Sequence, residues 1–132
     1  VASLVGSEMC IRDSLKTKKI KRISFGKGKY ATPVWSPRGD LIAFTKLLGG
    51  EFYIGVMYTD GKGERVVYKS YLVEGPTWSP NGRVLSFYSQ TKFSKGKISS
   101  PKIKLVDLTG VNLRELITPS DASDPSWSGL LP

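Results

Sequence analysis

A repeated motif constrains this chain more than any other feature of its sequence. Two copies of Pro-x-Trp-Ser-Pro-x-Gly, at Pro33–Gly39 and Pro76–Gly82, place their tryptophans 43 residues apart. A partial third copy, Asp124–Ser128, places its tryptophan 49 residues after the second. Repeats of about 40–45 residues with several short apolar segments are typical of β-propellers, in which each repeat forms a four-stranded blade. We therefore predict an all-β propeller fragment with two full blades, at about residues 30–70 and 73–118, and partial flanking strands.

Each full repeat contains four apolar segments that predict strands a to d. In the first repeat, strands a to d are Pro33–Trp35, Leu41–Thr45, Phe52–Met57 and Arg65–Tyr68. In the second repeat, they are Pro76–Trp78, Val84–Ser89, Lys102–Val106 and Arg114–Ile117. Ser-Pro-x-Gly is typical of a type I turn between strands a and b, and Asp-Gly or Thr-Gly predicts the turn between strands c and d. Lys21–Ser24 is predicted to be a strand d whose own a, b and c are missing, and residues 124–128 a closing strand. The six extra residues of the second repeat fall within Gln90–Pro101, between strands b and c.

The three repeated tryptophans, Trp35, Trp78 and Trp127, allow two interpretations. They form an aromatic platform for a ligand, or they fill the space between adjacent inner strands. The second interpretation is favoured because their positions follow the repeat.

The charge of the chain is strongly basic, with 20 Lys and Arg against 11 Asp and Glu. Seven basic residues lie between Lys16 and Lys29, and they form either a polyanion-binding patch or, as we favour, a solvated edge that discourages aggregation. No nucleic-acid-binding motif accompanies them, so we expect no nucleic-acid partner.

Catalytic and metal-binding signals are lacking in the sequence. There is no histidine, and Cys10 is the single cysteine, which excludes an internal disulfide and a cysteine-based zinc site. No G-x-S-x-G, P-loop or H-E-x-x-H motif is found. We expect a non-catalytic protein without a cofactor or metal.

The first fourteen residues, VASLVGSEMCIRDS, do not fit the pattern that follows. They resemble a translated sequencing-adapter or library scar. We expect residues 1–14 to be an unstructured artefact, and the natural propeller sequence to cover residues 15–132.

The repeats resemble those of the TolB family. The resemblance rests on three segments that match its last blades in order: Tyr30–Asp40, Tyr71–Trp78 and Asp121–Ser128. It implies a six-bladed ring, preceded in the full protein by an α/β domain, in the periplasm. It also implies a role in the Tol-Pal system, which supports outer-membrane integrity, cell division and protein import. The implied partners are the lipoprotein Pal, which holds the protein peripherally at the outer membrane, and other Tol proteins, and the complete protein is expected to be a monomer.

The resemblance also points to positions that contact Pal, just before the proline of strand a. Carried over by position only, these are Ala31, Thr32, Glu74, Gly75, Ser123 and Asp124. They lie with the b–c loops on one face of the blades, and such loops usually carry binding sites. For Asp121 and Asp124 an alternative stays open, in which their carboxylates accept backbone hydrogen bonds at the turn. The alternative function is the propeller of a prolyl-oligopeptidase-like serine peptidase whose hydrolase domain lies outside this chain.

Overall fold

The fold consists of strands and connecting loops. The computed structural model describes residues 2–4 and 10–129. It contains three antiparallel sheets, whose strands are β1 Ala2–Leu4, β2 Cys10–Asp13, β3 Ile20–Arg22, β4 Lys29–Trp35, β5 Leu41–Leu48, β6 Glu51–Tyr58, β7 Arg65–Ser70, β8 Leu72–Trp78, β9 Val84–Gln90, β10 Lys102–Asp107 and β11 Arg114–Leu116. No helix within residues 2–4 and 10–129 has the length and apolar character needed to cross a membrane.

Two of the sheets are the predicted blades. Blade 1 has the order β4-β5-β6-β7, and blade 2 has the order β8-β9-β10-β11, so each is a meander of strands a to d. The a–b turns are closed by the amides of Gly39 and Gly82, which donate to the carbonyls of Ser36 and Ser79 at 2.8 Å. Both glycines have positive φ, which explains why glycine ends this turn. The propeller class and the two blades are confirmed.

Strand b of blade 1 is buried on both faces of its sheet. Leu41 and Ala43 contribute to one apolar cluster, and Ile42 and Phe44 contribute to another on the opposite side. Successive side chains of a strand point to opposite faces, so a strand covered on both sides reads as a continuous apolar run. Blade packing therefore explains why β5 lacks alternation.

The interface between the blades combines an apolar core with specific hydrogen bonds. Residues from both blades form one buried cluster that includes Val56 of blade 1 and Phe87 of blade 2. The indole N–H of Trp78 donates to the backbone carbonyl of Val34 at 3.0 Å, and the Arg65 guanidinium donates to the carbonyl of Leu108. Trp78 thus packs between neighbouring inner strands, as the favoured interpretation predicted.

The expectation that residues 1–14 are unstructured is wrong for the described part of that segment. β1 pairs with β2, and β2 pairs with β3, in a third sheet. The Ile23 amide donates to the Cys10 carbonyl and the Cys10 amide to the Ser24 hydroxyl, both at 3.0 Å. These bonds continue the pairing of β2 with the chain just beyond β3. Whether the segment is derived from an adapter stays a prediction.

The predicted closing strand at residues 124–128 stays a prediction, because the strands assigned to pair with it belong to sequence outside this chain. In both blades strand a pairs with the strand b that follows it, whereas residues 124–128 pair with no strand among the described residues. Pro125 and Trp127 instead line a cleft with Ile103 and Leu116 of blade 2. A backbone hydrogen bond from the Ala122 amide to the Pro101 carbonyl, at 3.3 Å, joins the C-terminal segment to blade 2.

Candidate partner-binding surface

The surface predicted to bind a partner begins at a bulge in each strand a. The pairing of β4 with β5 shifts between Ala31 and Val34, and that of β8 with β9 shifts between Glu74 and Thr77. A proline lies inside each bulge, where the ladder needs no N–H donor. The residues just before each proline therefore form the first halves of longer strands, and the bulge separates them from the tryptophan.

The residue before each proline has the same unusual backbone conformation in all three repeats. φ is +46° at Thr32, +66° at Gly75 and +50° at Asp124. This left-handed region favours glycine and costs other residues about 1–2 kcal/mol. Strained positions of this kind cluster at functional sites, and a structural bulge also uses them. The sequence identified the three positions, but only the Gly-Pro pair at Gly75 signalled the conformation.

The acidic residues of blade 2 and the C-terminal segment surround one tyrosine, which sequence reasoning missed. The Tyr88 hydroxyl donates to Glu74 Oε2 at 3.2 Å. Burial, followed by the nearby Glu74 carboxylate and then by Asp124, raises the pKa of Tyr88 above its usual value. Glu74 and Asp124 therefore act on the same phenol although they are 50 residues apart in sequence. Both carboxylates are exposed, and they give this part of the surface a negative potential.

The remaining predicted positions are neutral. Ser123 donates its hydroxyl proton to Asp124 Oδ2 at 2.8 Å, so the two residues form one polar unit. Thr32 on blade 1 is exposed and shares a hydroxyl–hydroxyl bond of 2.7 Å with Thr45, while Ala31 is half-buried beside it. No hydrogen bond described in residues 10–129 joins the blade 1 pair to Glu74 or Asp124. The structure thus brings the acidic residues together and leaves the blade 1 pair as a separate neutral part.

Asp121 and Asp124, for which backbone hydrogen bonding at the turn was the alternative interpretation, have exposed side chains. Asp124 bonds to the hydroxyl of Ser123, and no backbone amide among the described residues donates to the carboxylate of Asp121 or Asp124. This leaves Asp124 available to a partner, as the partner-binding prediction requires.

Groups suited to catalysis or metal binding are not assembled in the described ranges. No cluster of three or more His, Cys, Asp or Glu is found in residues 10–129. Cys10 is buried, and burial raises the pKa of its thiol to about 11, so the thiolate is scarce at neutral pH.

Comparisons with known proteins agree with this geometry. The family model described as the TolB beta propeller domain matches residues 5–131. The Tol-Pal system protein TolB of Gluconobacter oxydans is 50% identical over 106 residues, which cover 80% of this chain and 23% of that protein. The chain therefore spans about a quarter of the length of this relative.

Solved structures show the same fold. A putative TolB from Agrobacterium tumefaciens superposes with a TM-score of 0.71 at 21% identity, covering 91% of this chain and 46% of that one. The propeller domain of the Trilobed protease from Pyrococcus furiosus superposes with a TM-score of 0.61 at 16% identity, covering 84% and 34%. Likeness at such identities shows the fold alone, whereas the family model and the sequence identity show descent: this chain belongs to the TolB β-propeller family.

Proposed function

We propose that this chain is a sector of a non-catalytic periplasmic scaffold of the Tol-Pal system. The observation that carries the proposal is the 50% identity to a protein named for that system, over four fifths of this chain. The peptidase alternative has support from fold likeness only, at 16% identity.

The partner in this proposal is the peptidoglycan-associated lipoprotein Pal, bound at Ala31, Thr32, Glu74, Gly75, Ser123 and Asp124. Three properties support these positions. They recur once in each repeat just before a proline, and in the two blades they lie at a bulge; they include three left-handed residues, and they carry an acidic centre around Tyr88. Binding at this surface ties the scaffold to the outer membrane, and through it the protein supports envelope integrity, cell division and protein import.

Charge reversal of the acidic centre tests this proposal. In the complete protein, Glu74→Lys combined with Asp124→Lys should weaken Pal binding at least tenfold by calorimetry, because both carboxylates are exposed and lack an ion-pair partner among the described residues. The control reverses Asp60 and Glu115, which lie in the c–d turn of blade 1 and on strand d of blade 2, away from the bulges. Asp60 accepts from the Lys62 amide at 2.9 Å and Glu115 lies 3.8 Å from the Lys102 amine, so this variant must show unchanged circular dichroism before the affinities are compared. Equal affinities for the two double variants would remove the acidic centre from the binding surface.

A further inference from the structure

The insertion of blade 2 is an ordered hairpin with an unusual surface. Between β9 and β10, the Phe93 amide donates to the Lys97 carbonyl at 2.8 Å, and the Gly96 amide donates to the Phe93 carbonyl at 2.9 Å. Gly96 has φ +76°, as this tight turn requires. A bridge between Lys92 and Ile98 extends the pairing. We call residues 91–99 the basic hairpin.

The base of the basic hairpin is held firmly to blade 2. The Ser99 amide donates to the Thr91 carbonyl at 2.9 Å, and the Thr91 amide donates to the Ser99 hydroxyl at 2.9 Å. The Gln90 side chain donates to the Ser99 carbonyl at 3.0 Å. The six extra residues therefore belong to a projection whose backbone conformation is defined by hydrogen bonds.

The charge of the basic hairpin is entirely positive. Lys92, Lys95 and Lys97 are all exposed, and the sequence contains no acidic residue between Glu74 and Asp107. None of the three lysines has an ion-pair partner among the described residues, and Lys92 lies 5.4 Å from the centre of the Tyr71 ring. The hairpin thus presents three uncompensated cations.

A cleft of about 560 Å³ separates the basic hairpin from blade 1. Its walls include Tyr71 and Phe93, which are 38% and 52% exposed, and the hydroxyls of Ser70 and Thr91. Aromatic side chains such as Tyr are enriched among the residues that contribute most to protein–protein affinity, and exposed cations around them attract partners of opposite charge. Leu72 pairs with Gln90 at the start of strand a, so the cleft opens at the same end of blade 2 as Glu74.

We propose that this cleft binds an acidic segment of a protein partner, with an apolar side chain between Tyr71 and Phe93 and carboxylates at the hairpin lysines. The walls favour a protein segment over a lipid surface. On the blade 1 side, Glu51 and Lys69 form an ion pair of 2.8 Å whose charges compensate each other, so the uncompensated charge is that of the hairpin lysines. A protein segment can place an apolar side chain between the two aromatic walls beside its carboxylates, whereas a lipid headgroup has no apolar group next to its phosphate. This surface has the opposite charge to the centre at Glu74 and Asp124, so the proposal goes beyond the proposed function and needs no Pal for its test.

The test uses a fluorescein-labelled twelve-residue peptide of aspartates flanking a central Phe-Leu pair, titrated by anisotropy against the full chain. The triple variant Lys92→Glu, Lys95→Glu, Lys97→Glu should raise Kd at least tenfold, and Phe93→Ser should raise it about fivefold because the apolar anchor is lost. The Gln versions of the lysine changes should give an intermediate Kd. All these side chains are exposed, so far-ultraviolet circular dichroism should be unchanged.

The matched control places the same three charge reversals at Lys16, Lys18 and Lys19, which are also exposed. This variant has the net charge of the hairpin variant and should bind the peptide within twofold of the original chain. Equal weakening by both triple variants would show that only net charge matters, and it would overturn the proposal. Hairpin-dependent sedimentation with phosphatidylglycerol vesicles, without peptide binding, would also overturn it and assign the hairpin to an anionic membrane.

Discussion

Replacing Trp78 with phenylalanine should separate the contribution of the inter-blade hydrogen bond from that of ring packing. The indole N–H donates to the Val34 carbonyl at 3.0 Å, and Trp78 is only 6% exposed. Losing this bond should cost about 1 kcal/mol. Losing about 40 Å² of buried ring surface should cost about 1 kcal/mol more. The free energy of unfolding should therefore fall by about 2 kcal/mol.

The same substitution at Trp35 provides the control. Its indole N–H is buried but has no hydrogen-bond partner among the described residues, so Trp35→Phe removes an unsatisfied donor along with the packing surface. Removing the unsatisfied donor should raise the free energy of unfolding by about 1 kcal/mol, which offsets most of the loss from packing. The stability of both variants is measured by urea unfolding, monitored by far-ultraviolet circular dichroism because this signal does not depend on the replaced tryptophans.

The expected result is a clear difference in unfolding midpoint. With a slope of about 1.5 kcal/mol per molar urea, Trp78→Phe should lower the midpoint by about 1.3 M, and Trp35→Phe by less than about 0.4 M. Equal shifts for the two variants would refute the reasoning, since they would show that the Trp78 hydrogen bond contributes nothing beyond the ring.

Two further predictions concern stability. Gly75→Ala should lower the free energy of unfolding by about 1–2 kcal/mol in the same urea assay, because φ is +66° at this position; steric crowding is not the cause, since no atom lies within 4 Å of the added Cβ. The control, Gly129→Ala, is equally open but lacks a positive φ and should have no effect. Equal losses of stability in the two variants would contradict the strain argument. The second prediction concerns Lys46, which is buried and donates to Glu64 at 2.5 Å. Burial lowers the pKa of Lys46, but its hydrogen bonds to Glu64 and Tyr30 outweigh burial, so the pKa is raised. The pKa of Tyr30 is also raised, first by burial and then by Glu64. Both groups then hold protons more tightly in the folded chain, so their contribution to stability should be fully present below about pH 10 and be lost as pH rises above it. The decline should be shallower in Lys46→Met, and an unchanged decline would exclude Lys46 as a cause.

Much of the fold could be predicted because it depends on local chemistry. The turn from Ser36 to Gly39 needs a proline and a glycine at fixed positions, and strand b from Leu41 onward needs a continuous apolar run. Both signals are written in neighbouring residues. The insertion after Gln90 could also be located, because the repeat offset changes at one place only.

The site could be predicted less completely. Repeat position located Glu74 and Asp124, but Tyr88, whose pKa both of them raise, lies on a different strand and meets Glu74 through the pairing of strands a and b. The bulges were missed because a bulge is a mismatch between two strands, and neither strand alone carries the mismatch. The order within the basic hairpin was missed for a similar reason, since it depends on the pairing of Lys92 with Ile98.

The sequence by itself determined the repeat, the turns and the propeller class, because these depend on residue types at short and regular spacings. Tertiary structure decided which of those residues meet. It paired Trp78 with Val34, gathered two distant carboxylates around one phenol, and placed Trp127 at a cleft beside blade 2. Backbone pairing needs a partner edge in register, and whether such an edge is present depends on elements far away in the chain.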